Sequence, residues 1–337
     1  MISVVIPAYN TEKMISACLD ALINQTVEPS KYEIIVVDDG SNDNTANVVK
    51  SFEGVRLIQQ ENQGPAAARN IGAQNAKGGI ILFTDSDCIP QKNWVEEMVL
   101  PFENDPEIVG VKGIYKSEQK ELASRFVQME YEDKYEMLAK DKYIDFVDTN
   151  SAAFKKEVFL EFGGYDTAFT AACAEDVELS YRMSSKGYKM VFNPRAIVNH
   201  THPKTFLAYF KKKFKFAYWR ILALRKNPIK LIKDSHTPQV MKFQLFFFPF
   251  LALSSFFMLF STKAMFLAIG IITAFIISTI PFTLKTVKKD VAVGLLSPFV
   301  LIGRSVVQFF GVLHGTIDHI ILRKTQRHPI IPLSSKK

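Results

Sequence analysis

The stretch GIILFTDSDC, Gly79 to Cys88, runs from an apolar segment directly into two aspartates one residue apart. Side chains alternate along an extended segment, so Asp85 and Asp87 are carried to the same side. Carboxylates held that close repel one another, and a cation between them relieves the repulsion. The stretch therefore reads as a strand whose polar end holds a divalent ion.

Working outward, ISVVIP, YEIIVVDDGS and GVRLIQQ are further β-branched runs, and EKMISACLDALINQ, DNTANVVKSF and AAARNIGAQNAK carry helical patterns between them. That β-α-β-α alternation predicts an open, doubly wound, mostly parallel sheet covered on both faces. Ligands of such sheets bind beyond the carboxyl ends of the strands. Those ends carry Pro7-Ala8-Tyr9, Asp38-Asp39-Gly40-Ser41 and Asp85-Ser86-Asp87, so the polar motifs converge on one edge. Downstream, SEQKELASRFVQMEYEDKYEMLAK predicts a long amphipathic helix. DFVDTNSAAFKKEVFLEFGGYD predicts a strand, a short helix and a Gly-Gly turn, and Glu175 to Lys186 a helix before a final strand.

Charge is distributed unevenly over the 337 residues. Up to Pro203 there are 20 Lys/Arg against 31 Asp/Glu, from Lys204 to Lys242 there are 11 against 1, and the remainder has 10 against 2. The net +7 thus joins an acidic globular part to a basic, apolar one, and does not signal nucleic-acid binding. Cys18, Cys88 and Cys173 are far apart and odd in number, which fits a reducing compartment better than a disulfide framework or a zinc site. With no secretory signal pattern at the start, the first domain is expected in the cytoplasm.

Past Pro203 the composition changes. Phe206, Phe210, Phe214, Tyr218, Ile221 and Leu224 form one helical stripe among lysines and arginines, the pattern of a basic helix in the headgroup region of an anionic membrane. The runs Phe243–Phe260 and Ala264–Leu284 are free of charge and near the ~20 residues a bilayer crossing needs. Together they predict a transmembrane hairpin returning to Lys285, Lys288 and Lys289 on the side of the basic helix, as the positive-inside rule requires. Arg304 interrupts Val291 to Ile317, which is expected to be interfacial or re-entrant, with a third span the close alternative. The expected organisation is a catalytic domain over 1–203, a basic interfacial helix over 204–242, a hairpin over 243–284, and a membrane-associated segment with a basic tail over 285–337.

Four motifs fix the chemistry: VVIPAYN, VVDDGSNDNT, NQGPAAARNIGAQNAKG before the acidic pair, and GGYDTAFTAACAEDVELSYRMSSKGYK after it. In this order and spacing they resemble glycosyltransferase family 2, inverting enzymes of the GT-A fold with a Rossmann-like nucleotide-binding half and an acceptor half. The resemblance covers roughly Ile2 to His202. Neither a GxGxxG fingerprint nor a Walker lysine motif is present, which disfavours dehydrogenase and ATPase readings.

The resemblance implies a nucleotide-sugar donor and a divalent metal, Mn²⁺ or Mg²⁺. It places Pro7, Ala8 and Tyr9 in the nucleotide pocket and Asp39 on the base. A carboxylate there suits a uracil-type N–H donor, hence a UDP-sugar. It puts Arg69 against base or diphosphate, Asp85 on ribose or metal beside Ser86, and Asp87 on the metal, with His200 or His202 as a further ligand. Asp176 becomes the general base, with Glu175 holding the acceptor or the helix start, and Asp148 and Asn150 belong to a donor-sugar and acceptor loop. Asp38 has the alternative of capping its turn. The QxxRW string of processive synthases is absent, FAYWR (Phe216 to Arg220) reversing its order, so addition of one or a few sugars is expected. Anchoring in membrane lipids points to a lipid-linked sugar or glycolipid acceptor. The rivals are a polyprenyl-phosphate sugar synthase and a non-catalytic membrane scaffold of the same fold.

Overall fold

The computed structural model describes residues 1–169, 173–231, 234–235, 237–258 and 260–323. Eight strands make one sheet: β1 (Ile2–Ala8), β2 (Tyr32–Asp38), β3 (Val55–Gln59), β4 (Ile80–Phe83), β5 (Cys88–Pro90), β6 (Ile108–Lys116), β7 (Ala152–Lys155) and β8 (Lys189–His200). Their spatial order is β3-β2-β1-β4-β7-β6-β8-β5. Helices α1 (Ile15–Ile23), α2 (Thr45–Lys50), α3 (Pro65–Asn75), α4 (Trp94–Asn104), α5 (Leu122–Leu138), α6 (Lys156–Glu161) and α7 (Glu175–Ser185) belong to this part. Helices α8 (Phe206–Lys226), α9 (Gln239–Phe257), α10 (Thr262–Lys289) and α11 (Val291–Thr316) follow it.

The first half forms as its sequence dictates. Alternate residues of β1 and β2 face opposite layers: Val4, Ile6, Ile34 and Val36 pack toward α1 and α4, whereas Val5, Ile35 and Val37 pack toward α3. Both sets are buried, each side chain contributing roughly 1.5–3 kcal/mol by leaving water, which is why these strands read as unbroken apolar runs. β1, β2, β3 and β4 are parallel throughout.

The expectation of a mostly parallel sheet fails in the second half, which is mixed. β7 runs antiparallel between β4 and β6, and β8 is parallel to β6 but antiparallel to β5. The reversal has a positional reason. Because Ala152 lies opposite Phe83, the loop preceding β7, with Asp148 and Asn150, reaches the same edge as Asp85 and Asp87. The pairing of His200 with Cys88 brings the end of β8 to that edge as well.

The C-terminal helices differ from expectation in two respects. α11 is one unbroken helix through Arg304, whose buried guanidinium donates to Glu130 (2.7 Å) and Gln244 (2.8 Å) and so carries no uncompensated charge. α10, and α11 with its π-helical extension to Ile321, are each long and apolar enough to cross a bilayer. The tail residues Lys324, Arg327, Lys336 and Lys337 lie outside the described residues. The second difference concerns α8: its Phe210, Phe214 and Ile221 stripe packs on α11, a protein neighbour that the periodicity did not reveal.

Helix α5 joins the two parts by charge. Arg125 pairs with Asp290 (3.0 Å), Glu130 with Arg304 and Lys213 (3.0 Å), Asp133 with Lys285 (2.7 Å), and Glu132 with Lys289 (2.7 Å). Burial opposes ionisation of Glu130, but Lys213 and Arg304 outweigh it and hold this carboxyl below its ordinary range. Breaking a buried pair leaves a charge uncompensated, at a cost of about 3–5 kcal/mol, whereas a surface pair is worth about 0–1 kcal/mol. Glu130→Ala is therefore expected to lower the unfolding midpoint in detergent markedly and Glu132→Ala hardly at all. Equal shifts in differential scanning fluorimetry would contradict this account of the junction.

Candidate active site

The carboxyl edge of the sheet holds an open cleft of about 380 Å³ lined by Pro7, Ala8, Tyr9, Asp39, Arg69, Asp85, Ser86 and Asp87. At one end Asp38 caps the turn after β2, its Oδ1 accepting from the Ser41 amide (3.0 Å). Gly40 sits there at φ +75°, and a Cβ would come within 2.9 Å of the Asn62 amide, so the turn requires glycine. Asp39 accepts from the Gln60 side chain (2.6 Å) and from the Gln63 (2.9 Å) and Gly64 (2.8 Å) amides. It thereby fixes the loop that begins α3 as well as lining the cleft.

Arg69, on α3, does not reach freely into the cleft. Its guanidinium is 1 % exposed and lies between two carboxylates, Nη2 donating to Asp85 Oδ1 (2.6 Å) and Nη1 to Glu175 Oε1 (3.1 Å). This ties the end of β4 to the start of α7. The other Glu175 oxygen accepts from the Cys173 (2.8 Å) and Ala174 (3.1 Å) amides, so Glu175 braces the turn that presents Asp176.

Asp176 is the acid left over. Its Oδ1 accepts from its neighbour Val177's amide (2.7 Å), and it makes no ion pair among the described residues. Burial, then the nearby Glu175 and Asp148 carboxylates, push its pKa up to about 7. A carboxyl poised there can exchange a proton near neutrality.

The two histidines part company. His200 Nε2 lies 3.7 Å from Asp87 Oδ2, and its buried Nδ1 has no hydrogen-bond partner among the described residues. His202 turns to α5, its Nε2 meeting Gln128 Oε1 at 3.0 Å. Burial lowers the His200 pKa, so a neutral imidazole, the ligating form, faces Asp87. Asp87, Cys88 and His200 bring ligand atoms within 4.8 Å of one another. Carboxylate and imidazole suit a hard divalent ion, while burial pushes the Cys88 thiol well above its ordinary range and keeps it protonated. The donor set thus fits a divalent cation held by Asp87 and His200.

The loop residues are placed differently from one another. Asp148 is buried and consumed by Lys112 Nζ (2.5 Å) and the Tyr115 hydroxyl (3.0 Å), and Asn150 Nδ2 stands 3.9 Å from the Cys88 sulfur. Sequence reasoning missed Lys112 and Tyr115. A lone lysine in the apolar run IVGVKGIY was the available signal, since a buried charge needs a buried partner.

A sheet whose carboxyl edge gathers an acidic pair, a histidine and a free carboxylate at a helix start is the arrangement of a GT-A glycosyltransferase domain. Residues 3–163 match the model of Glycosyl transferase family 2. Among curated proteins it is similar to Glycosyltransferase AglE of Haloferax volcanii, 43 % identical over 29 % of this chain and 34 % of that one. It is also similar to the dolichyl N-acetyl-alpha-D-glucosaminyl phosphate 3-beta-D-2,3-diacetamido-2,3-dideoxy-beta-D-glucuronosyltransferase of Methanococcus voltae, 24 % identical over 68 % of this chain and 76 % of that one. The chain thus spans about a third of the length of the first relative and about three-quarters of the second. Among solved structures, a mannosyltransferase from Pyrobaculum calidifontis, in complex with GDP-Man and Mn²⁺, shares the fold with a TM-score of 0.59 at 20 % identity, over 93 % of this chain and 86 % of that one.

The geometry separates the two histidines experimentally. Asp87→Ala and His200→Ala are expected to weaken Mn²⁺ binding at least ~10-fold, followed by the EPR signal of free Mn²⁺. His202→Ala, whose ring is held by Gln128, should leave the titration unchanged.

Proposed function

We propose that the chain transfers a sugar from a nucleotide-sugar donor, a UDP-sugar by preference, to a hydroxyl of a lipid-linked sugar or glycolipid at the cytoplasmic membrane face, with inversion at the anomeric carbon. The observation that carries this reading is Asp176, an unpaired acid beside the metal-binding edge with its pKa near 7. Pro7, Ala8, Tyr9 and Ser86 shape the cleft for the nucleoside, and Asp39 faces the base from the loop it organises. A divalent ion held by Asp87 and His200 would supply positive charge to the donor's diphosphate. Asp176 takes the proton of the acceptor hydroxyl as its oxygen attacks the anomeric carbon from the face opposite the diphosphate. One displacement at that carbon inverts its configuration. Arg69 and Glu175 brace the turn that carries Asp176.

Two features support the lipid-linked acceptor. Helices α10 and α11 give the chain candidate membrane spans clamped to α5, and the Methanococcus voltae relative is named for transfer to a dolichyl-phosphate-linked sugar. We set the domain borders at 1–203 for the catalytic part and at 204–337 for the interfacial and membrane part. A polyprenyl-phosphate acceptor is already ionised at neutral pH and needs no base, which makes Asp176 superfluous. The organised carboxylates argue likewise against a catalytically silent scaffold.

Asp176→Asn is expected to lower kcat by ~10²–10⁴-fold while donor binding persists. In the wild-type enzyme kcat/KM should rise with pH through about 7 and then level off, because the base accepts a proton only when ionised and its carboxyl is raised to that range. A nearly unaffected Asn variant would instead assign a phosphate acceptor.

A further inference from the structure

Helix α8 is in contact with protein on opposite faces. Phe210, Phe214, Ala217 and Ile221 lie against Gly303, Gly311 and Gly315 of α11. At Gly311 and Gly315 a Cβ would stand 2.5 Å from the Phe214 and Tyr218 carbonyl oxygens, so the two helices touch backbone to backbone. Half a turn away, Lys212, Phe216, Trp219 and Ala223 form a second stripe at helical spacing. Trp219 rests on Phe169 with ring centroids 5.8 Å apart, and Ala223 belongs to the cluster of Phe169 and Ala174. Ala174 immediately precedes Glu175 and Asp176. The second stripe therefore follows the catalytic turn, and Lys212 is its end nearest the metal-binding edge.

The Lys212 Nζ lies over the Phe216 ring, 5.6 Å from its centroid. It is close enough to Asp87, Asp85 and Cys173 for each to act on its charge, and it acts in turn on Asp87, His200 and His202. The side chain is exposed to solvent yet has enough protein around it that burial lowers its pKa. Among the described residues it makes no ion pair. Arg69 is committed to Asp85 and Glu175 and Lys213 to Glu130, while Lys215 acts on Cys173.

A nucleoside diphosphate brings more negative charge to this edge than one divalent ion can offset, since Asp87 and Asp85 already draw on that ion. We propose that Lys212 binds the terminal phosphate of the nucleoside diphosphate, so that the helix packed on the membrane segment completes the donor site. The inference rests on the donor reading given above. When the bond between the anomeric carbon and the β-phosphate oxygen breaks, its electron pair stays on that oxygen. The Lys212 ammonium stands ready to neutralise the charge formed there. The acceptor proton goes to Asp176, and the acceptor oxygen forms the new bond to carbon.

Calorimetric titration of the full chain in detergent with Mn²⁺, using UDP and GDP and then UMP and GMP, tests this. The wild type should prefer the diphosphate of one base over its monophosphate. Lys212→Met should lose about tenfold in diphosphate affinity with monophosphate affinity unchanged, Lys212→Arg should restore most of the loss, and Lys211→Met should match the wild type. Diphosphate affinity unaltered in Lys212→Met, or equal losses for mono- and diphosphate, would overturn the assignment of Lys212 while leaving the donor reading intact. A wild type that binds none of the four nucleotides would overturn the donor reading and this inference with it.

Discussion

The burial of Arg69 between Asp85 and Glu175 is the constraint on which the site depends. Removing a guanidinium from water costs several kcal/mol and is offset only while both carboxylates stay in place. The end of β4 and the start of α7, remote in sequence, are therefore held together. Arg69 is itself placed by α3, whose first turn is fixed by Asp39 through the Gly64 amide. The contacts thus run from the Asp39 end of the cleft, through α3, to the turn that carries Asp176. The acidic pair, Asp176 and Asp39 are thereby tied to one another by way of α3.

The sequence made the first half of the sheet plain because alternation within β1 and β2 and the helical patterns between them report directly on burial. The direction of β7 was not legible. A four-residue strand, Ala152–Lys155, carries no mark of which way it runs, and only its pairing with β4 decides this. The site residues were found by type and place more readily than by partner. Arg69 lies where the motif puts it, but a cation meant for a ligand looks the same in sequence as one meant for two distant carboxylates. His200 and His202 were indistinguishable for a related reason. His200 ends β8 beside Cys88, while His202 lies past the strand, where Gln128 of α5 takes its ring.

Periodicity likewise revealed the apolar stripe of α8 but not its cover. Lipid and a neighbouring helix ask for the same phenylalanines. The discriminating signal was in the other helix, where Gly311 and Gly315 stand one turn apart and leave room for the α8 backbone. Arg304 misled in the opposite sense. Read alone it interrupts an apolar run, yet Glu130 and Gln244 absorb its charge and the helix continues through it. In each case the local pattern was correct, and the missing information was the identity of a partner far away in the chain.

The ion pairs along α5 have a geometric consequence. They engage residues on α10 and α11, from Lys285 to Arg304, and leave the sheet little freedom to tilt or lift relative to those helices. The carboxyl edge is thereby held at a set distance from α10 and α11. Under the acceptor reading proposed above, an edge so fixed would act as a gauge, serving hydroxyls carried at one distance from the bilayer and passing over the same sugar presented higher or lower. Acceptor choice would then depend on the length of the headgroup as much as on its chemistry.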